Sequence, residues 1–299
     1  MSLTVAASVD EALAAMAGGA RPVAGGSDLV VGARHGKSPL PRAIVAIDRL
    51  GELATIADVD GELRLGALAT HAQLMEHPLV IASATAVADA CALVGSPSTR
   101  NVGTIGGNVM NGSPAMDTGA PLLVLDARVE LRSATATRTL PIAELWTGPG
   151  RTIAAIDELC TAIVLPARPP RSGSAYVRLE YRRAMEIAVV GAGASVSLND
   201  DGTVAAIAVA LTAVAPTIIP VNGLERLIGG SIDDGALASI AADAAAQATP
   251  ISDLRASDSY RRHCVGVMAR RAVEAAHRRA RGEVIAVPVN RAFGIGAAR

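Results

Sequence analysis

The stretch that most constrains this chain runs from Ser96 to Asp117, SPSTRNVGTIGGNVMNGSPAMD. Gly, Ser, Asn, Pro and Thr dominate it, and neither helical period nor strand alternation runs through it. Long loops without structure of their own are uncommon inside compact domains unless they serve a function. Disorder does not explain this one, because 51% of the 299 residues are hydrophobic and only 18% are charged. The chain is globular, with room for two domains, and its long polar loop reads as a binding loop.

A second, shorter stretch shares the design. GGSD (Gly25 to Asp28) and TIGGN (Thr104 to Asn108) both set paired glycines beside hydroxyl or amide side chains. Glycine permits positive φ and close approach, so each loop is a candidate backbone nest for an anion. Two nests fit the two phosphates of a diphosphate without lysines. Either loop alone could be a turn serving only the fold; the matched pair favours the ligand. A third cluster, VVGAGAS at 189–195, fails the GxGxxG test. Gly191 and Gly193 fit, but Val196 stands at the third glycine and strand-like SVSL follows where a helix should begin. Those glycines are read as packing positions in a strand.

Charge and composition exclude other classes. Lys and Arg number 27 against 28 Asp and Glu, and aromatics make up 2%, so a nucleic-acid binder's basic surface and stacking platforms are missing. The N-terminus has no basic segment leading into an apolar one, and the most apolar run is broken by Pro216 and Pro220, so no transmembrane segment and a cytoplasmic protein are expected. Cys91, Cys160 and Cys264 are far apart and read as buried packing residues. His35, His71, His77, His263 and His277 are dispersed, and no nucleophile–base set emerges.

Local signals divide the chain. Ser8 with Glu11 makes a capping box for a helix over 9–17, closed by Gly18 and Gly19. RPVAGGSDLVVG reads as a strand that pauses at the glycine pair and continues into Leu29, Val30 and Val31. AIVAI (43–47) is another strand, and Asp60-Gly61 turns a hairpin. Thr70 caps a short helix, and an Ala-rich helix over about 79–94 leads into the loop. ARPPRSGS (167–174) is the linker. Beyond it come strands at 175–181, 187–198 and 204–213, then helices at about 234–247 and 257–281. The expected fold class is α+β: residues 1–170 form one domain with parts at about 1–52 and 53–170, and 171–285 form a smaller α+β domain with a three-stranded sheet. Residues 286–299 form a tail without pattern, mobile or partner-bound.

VAGGSDLV, GALATHAQL, NVGTIGGNVMNGSPAMD and SDLRASDSYRRHCVGVMARRA, in this order and at these separations, resemble the FAD-binding medium subunit of the molybdenum hydroxylases, including carbon monoxide and xanthine dehydrogenases. The resemblance covers nearly the whole chain. It implies a two-part α/β FAD-binding domain of the molybdopterin-dehydrogenase type, with the diphosphate gripped by Ala24, Gly25, Gly26, Ser27, Asp28 and Leu29 together with Thr104, Ile105, Gly106, Gly107 and Asn108. Asp117 falls at the position that bonds the adenosine part, Met110 and Asn111 at nearby contacts, and Val94 and Gly95 at further contacts before the loop. Leu165 and Arg178 match positions near the isoalloxazine. Glu186 stands where the family commonly has Asp, and Glu180-Tyr181 replace apolar or Pro residues. A subgroup with an inserted iron–sulfur segment is excluded, since three scattered cysteines cannot supply four thiolates.

The resemblance further implies a small [2Fe-2S] subunit and a large molybdopterin subunit as partners, in a dimer of heterotrimers. The chain would pass electrons from those clusters through FAD to NAD, oxygen or a quinone. The alternatives are a free-standing FAD-dependent oxidase or reductase and a scaffold with vestigial loops. The basic helix at 257–281 presents either a solvated face or a dock for an acidic partner, and Trp146 reads as a core or rim residue.

Overall fold

The computed structural model describes residues 2–36 and 39–295. Three larger sheets, one two-stranded sheet and their helices build it. The first is parallel, with β3 (Ala43–Ala46) between β1 (Ser2–Val5) and β2 (Arg21–Val23). It is backed by α1 (Val9–Ala17), whose Val9, Ala12, Leu13 and Met16 are buried. Ser8 Oγ accepts from Glu11 N at 3.2 Å, while the Glu11 carboxylate reaches back to the Ala7 N–H at 2.7 Å, so the expected cap closes one residue early.

The segment after β2 is not a continued strand. The chain turns at Gly25-Gly26 and enters α2 (Ser27–Arg34), with Gly26 at φ 65° as N-cap. That left-handed turn overrides the strand preference of Leu29, Val30 and Val31. Val30 and Val31 are 45% and 51% exposed, so no core face holds them extended.

The second sheet is antiparallel and five-stranded, ordered β4-β5-β10-β6-β7. β4 (Ile56–Val59) and β5 (Glu62–Gly66) form the expected hairpin, with Asp60 and Gly61 both at positive φ. Helices α3 (His71–Glu76), α4 (Pro78–Ser83) and α5 (Thr85–Leu93) follow. The single Ala-rich helix expected over 79–94 is therefore two helices. It breaks at Ala84, where Ser83 and Thr85 hydroxyls donate back to the carbonyls of Leu79 and Ile81.

The polar stretch 96–117 is mostly helical, contrary to the loop its composition suggests. Ser96 caps α6 (Pro97–Val102), Thr104 caps α7 (Ile105–Asn111), and Gly112 at φ 60° ends it. Its Ser, Thr and Gly are caps of helices too short to display a period. Then come α8 (Gly119–Val124), β6 (Arg128–Arg132), β7 (Thr137–Pro141), α9 (Ile142–Leu145), a small hairpin of β8 (Trp146–Gly148) with β9 (Arg151–Thr152), and the fully buried β10 (Leu159–Leu165). Trp146 is buried, its indole N–H bonded to Val109 O at 3.0 Å.

The third sheet has four strands where three were expected: β11 (Ser172–Leu179), β12 (Val190–Leu198), β13 (Val204–Thr212) and the short β14 (Ile219–Pro220), which pairs with β13 through Ala210 and Leu211. Its glycines do pack, as expected for a strand: a Cβ on Gly193 would lie 2.9 Å from the backbone of Ala120 in α8. The other face is covered by α10 (Asp234–Gln247) and α11 (Asp258–Ala280), whose Val265, Met268, Ala272 and Ala276 join the core with Val177, Ala192 and Val209.

The patternless tail folds back through residue 295, with α12 (Val289–Ala292) on β11; residues 296–299 lie outside the described residues. Asn290 acts as a surrogate strand, accepting from Arg178 N at 3.1 Å and donating to Arg178 O at 2.9 Å. Buried Asp89, from α5, accepts from Tyr176 N, Val289 N and the Arg279 guanidinium. One carboxylate thus joins α5, β11, α11 and the tail, and its burial is offset by these hydrogen bonds and the Arg279 charge. No helix among the described residues is long and apolar enough to cross a membrane.

Candidate functional site

The fold brings the two glycine loops together. Gly25 lies against the end of α6 so closely that a Cβ there would stand 1.8 Å from Val102 O and 3.2 Å from Gly103 N. Gly103 O accepts from His71 N at 3.0 Å, and the next residue, Thr104, bridges Thr70. Thr70 carries a complete capping box with Gln73. The α3 start therefore fixes the α7 start, which faces the α2 start across Gly25.

The two nests are built unlike each other. At α7, the N–H groups of Ile105 and Gly106 are already bonded to Ala69 O (3.0 Å) and Ala67 O (2.9 Å), and Gly107 N is held by Thr104 Oγ1 at 3.1 Å. A Cβ on Gly106 would meet Ala67 at 2.6 Å, so that glycine serves close packing. Gly107 is exposed, and only Thr104 Oγ1, at 3.0 Å, would touch its Cβ. At α2, no side chain caps the helix, so its first-turn N–H groups remain available, backed by the helix dipole. Burial raises the Asp28 carboxyl pKa although much of the residue is exposed. Ala24 packs on the first sheet's core, and Leu29 is half-buried in α2.

Val94 and Gly95 join this cluster through α6. Arg100 Nη1 donates to Val94 O at 2.9 Å, and a Cβ on Gly95 would lie 2.7 Å from Thr99. The β11–β12 loop arrives here as well: Met185 N donates to Gly95 O at 2.9 Å. Asn108 accepts from Thr118 Oγ1 at 2.5 Å, and next to Thr118 stands Asp117, buried. Asp117 accepts from Tyr176 Oη at 2.8 Å and from Arg178 Nη1 at 2.7 Å. Arg178 is fully buried, with Nε on Glu180 at 2.8 Å. Its Nη2 is also 2.8 Å from Glu180 Oε2, yet off hydrogen-bonding direction, so that buried N–H group has no acceptor. Burial raises the Asp117 pKa against the pull of Arg178 and Tyr176. The guanidinium, which burial alone would drive down, is held up by Asp117, Tyr176 and Glu180.

Three expected residues lie at the margins. Met110, within α7, packs on the core, and Asn111 is exposed at the helix end. Leu165 is not brought to the loops. It pairs with Leu63 at the end of β10 remote from Ala162, the residue opposite Gly66 at the loop side, and it is buried. The sequence missed Tyr176, Thr118, Met185 and the Val102–Gly103 seat of Gly25. Only Tyr176 left a trace, since it shares a strand face with Arg178.

His71 lies behind the loops, 2% exposed, its Nδ1 3.3 Å from Cys91 Sγ. Burial, helped by Arg100, lowers its pKa to about 4, and burial pushes the Cys91 thiol up. Both groups are neutral at pH 7, which suits a support better than a nucleophile.

Comparison with known proteins identifies the family and the fold. Residues 1–168 match the family described as FAD binding domain in molybdopterin dehydrogenase, and residues 174–276 match the CO dehydrogenase flavoprotein C-terminal domain. The chain is 32% identical over 269 residues to the xanthine dehydrogenase FAD-binding subunit of Escherichia coli O157:H7, covering 89% of this chain and 91% of that one. It is 32% identical over 237 residues to the carbon monoxide dehydrogenase medium chain of Hydrogenophaga pseudoflava, covering 79% and 82%. A solved chain of reconstituted CO dehydrogenase from Oligotropha carboxidovorans superposes with a TM-score of 0.88 at 30% identity, covering 93% of this chain and 98% of that one.

Proposed function

The chain belongs to the family of FAD-binding subunits of molybdopterin dehydrogenases, and from that premise we propose that it is the electron-transferring medium subunit of a molybdenum hydroxylase. Its cofactor is FAD, and it is a subunit of an oxidoreductase. On this reading it works beside a small [2Fe-2S] subunit and a large molybdopterin subunit, in a dimer of heterotrimers. Relatives named as a medium chain and an FAD-binding subunit support the presence of partner subunits.

The observation that carries the reading is the seat of Gly25 on Val102 and Gly103, which sets an uncapped helix start against the Thr104–Asn108 turn. The residues fit a dinucleotide: the α2 start has no side-chain cap, Gly107 is exposed and Asn108 is half-buried, and the seat of Gly25 on Val102 brings the two loops side by side. Ala24 to Leu29 and Thr104 to Asn108 would hold the diphosphate. Asp117, ordered by Tyr176 and Arg178, would orient the nucleoside end, and Arg178, fully buried and 2.7 Å from Asp117, would act through that carboxylate rather than at the isoalloxazine. Val94 and Gly95, clamped by Arg100 and Met185, would close the site against water. When bound, FAD supplies a carrier that takes electrons one at a time from iron–sulfur clusters and yields them in pairs to a terminal acceptor. The family matches meet across residues 169–173, which supports a division of labour at residue 170.

The test is Gly107→Val. The new side chain projects where only Thr104 Oγ1 is near, so the fold is expected to persist while FAD, measured by absorbance and by mass of the released cofactor, is lost. Undiminished FAD in a folded variant would remove this loop from the site.

A further inference from the structure

A cavity of about 420 Å³ lies away from the glycine loops, at the end of β11 opposite Arg178. One wall is the β4–β5 hairpin and α4; the other is the start of β11, with the connecting segment 166–171 between them. Ser174 and Arg178 are four residues apart on one strand, roughly 13 Å. None of the residues assigned to FAD lines this cavity.

Its walls combine two kinds of surface. Leu63, Leu79, Ala82 and Pro166 are apolar, and Arg168 and Arg171 are cationic. Arg168 donates to Ser195 Oγ and forms no ion pair among the described residues. Desolvation lowers its pKa, with only the field of Asp126 opposing, so its charge is poorly compensated where it stands. Arg171 is held at φ 55°, a conformation a non-glycine residue keeps only when its surroundings impose it. It also lines a neighbouring cavity of about 420 Å³ together with Ser172 and Arg281. Arg279 lines that cavity too, but its charge is committed to Asp89.

Negative groups are few. Asp58 is the one carboxylate in the first lining, and it is occupied by the Gly61 N–H at 3.0 Å. Asp201 and Glu283 feel Arg171 and Arg281 from outside the cavities. The hydroxyls of Ser83 and Thr85 donate to helix carbonyls, so recognition of a charged ligand falls to the guanidiniums.

We propose that this cleft is a second binding site, for a small organic molecule with an apolar body and a phosphate or carboxylate head, the head paired with Arg168 and Arg171 and the body laid on Leu63 and Leu79. The volume suits a small-molecule ligand, and guanidiniums pair oxyanions with two parallel hydrogen bonds. The site stands independently of the FAD reading.

Phenyl phosphate is the probe, with inorganic phosphate alongside and sodium chloride at matched ionic strength as reference, titrated into the full chain by calorimetry. Saturable binding of phenyl phosphate is expected, tighter than inorganic phosphate by about tenfold, the contribution of an apolar body. Arg168→Gln should weaken it at least tenfold. Arg171→Asn, which tolerates positive φ, should weaken it in the same direction while FAD content stays at the wild-type level. Heat no greater than with chloride, or equal affinity in both variants, would overturn the proposal.

Discussion

Replacing Gly25 by Ala tests the contact on which the whole site rests. An ideal Cβ would lie 1.8 Å from Val102 O and 2.5 Å from its carbonyl carbon. Ordinary C···O contacts start at roughly 3.3 Å, so the two backbones must separate by about 1.5 Å. Neither partner is a flexible side-chain end; both are main chain, one tied to β2 and the other to α6. Overpacking of this kind costs about 1–3 kcal/mol. If the loop swings aside in the free protein and must return to hold FAD, that strain appears as roughly 5-fold to 150-fold weaker binding. The assay is FAD titration of stripped protein followed by flavin fluorescence, with circular dichroism to confirm folding. Gly51→Ala serves as control, because its Cβ would meet nothing within 4 Å. Affinity for FAD within twofold of wild type in folded Gly25→Ala would refute the juxtaposition of the two loops.

Two further outcomes follow from buried ionisable groups. His71 titrates near 4 in the folded chain against 6.5 unfolded, so the unfolded state binds more protons between those values. The stabilising contribution is whole above pH 6.5 and falls by on the order of 3 kcal/mol as pH drops to 4. In His71→Gln the slope of urea-derived stability over that window should flatten, and an unchanged slope would show that other groups set it. Asp89→Ala leaves the Arg279 guanidinium, 7% exposed, without its carboxylate and frees the tail's Val289 N–H. Loss of a buried partner of this kind costs about 3–5 kcal/mol, readable as a shifted urea midpoint, and a loss under about 1 kcal/mol would exclude Asp89 as a hub.

Much of the fold was legible wherever local signals agreed. Thr70 as an N-cap, the Asp60-Gly61 turn, and the helices expected at about 234–247 and 257–281 all stand where they were placed, the last running from Asp258 to Ala280. Errors arose where elements are too short to show a period. α6 and α7 have six and seven residues, so Ser96, Thr104 and Gly112 were read as loop when they are caps. At α2 a single left-handed glycine outweighed three strand-favouring residues. The glycine loops were visible as motifs, and the resemblance placed both on one diphosphate; the seat of Gly25 on Val102 and Gly103 was not legible, because it is a backbone contact between residues 77 positions apart. Nor could spacing reveal that Arg178 and Asp117 are partners, since one lies on a strand and the other just before a helix.

The Asp89 junction also has a temporal side. Its carboxylate is made 200 residues before the Val289 N–H that it binds, and Arg279 comes 190 residues after it. At ~5–20 residues per second, synthesis leaves this acid without those partners for roughly 10–40 s. Until the C-terminal segment emerges, α5 carries a carboxylate facing what will become dry core, and the edge of β11 lacks the Asn290 amide that covers it. The cofactor-binding half of the molecule therefore reaches its final packing only after residues 279–290 have emerged, and a nascent chain stalled short of them presents an open sheet margin to its neighbours.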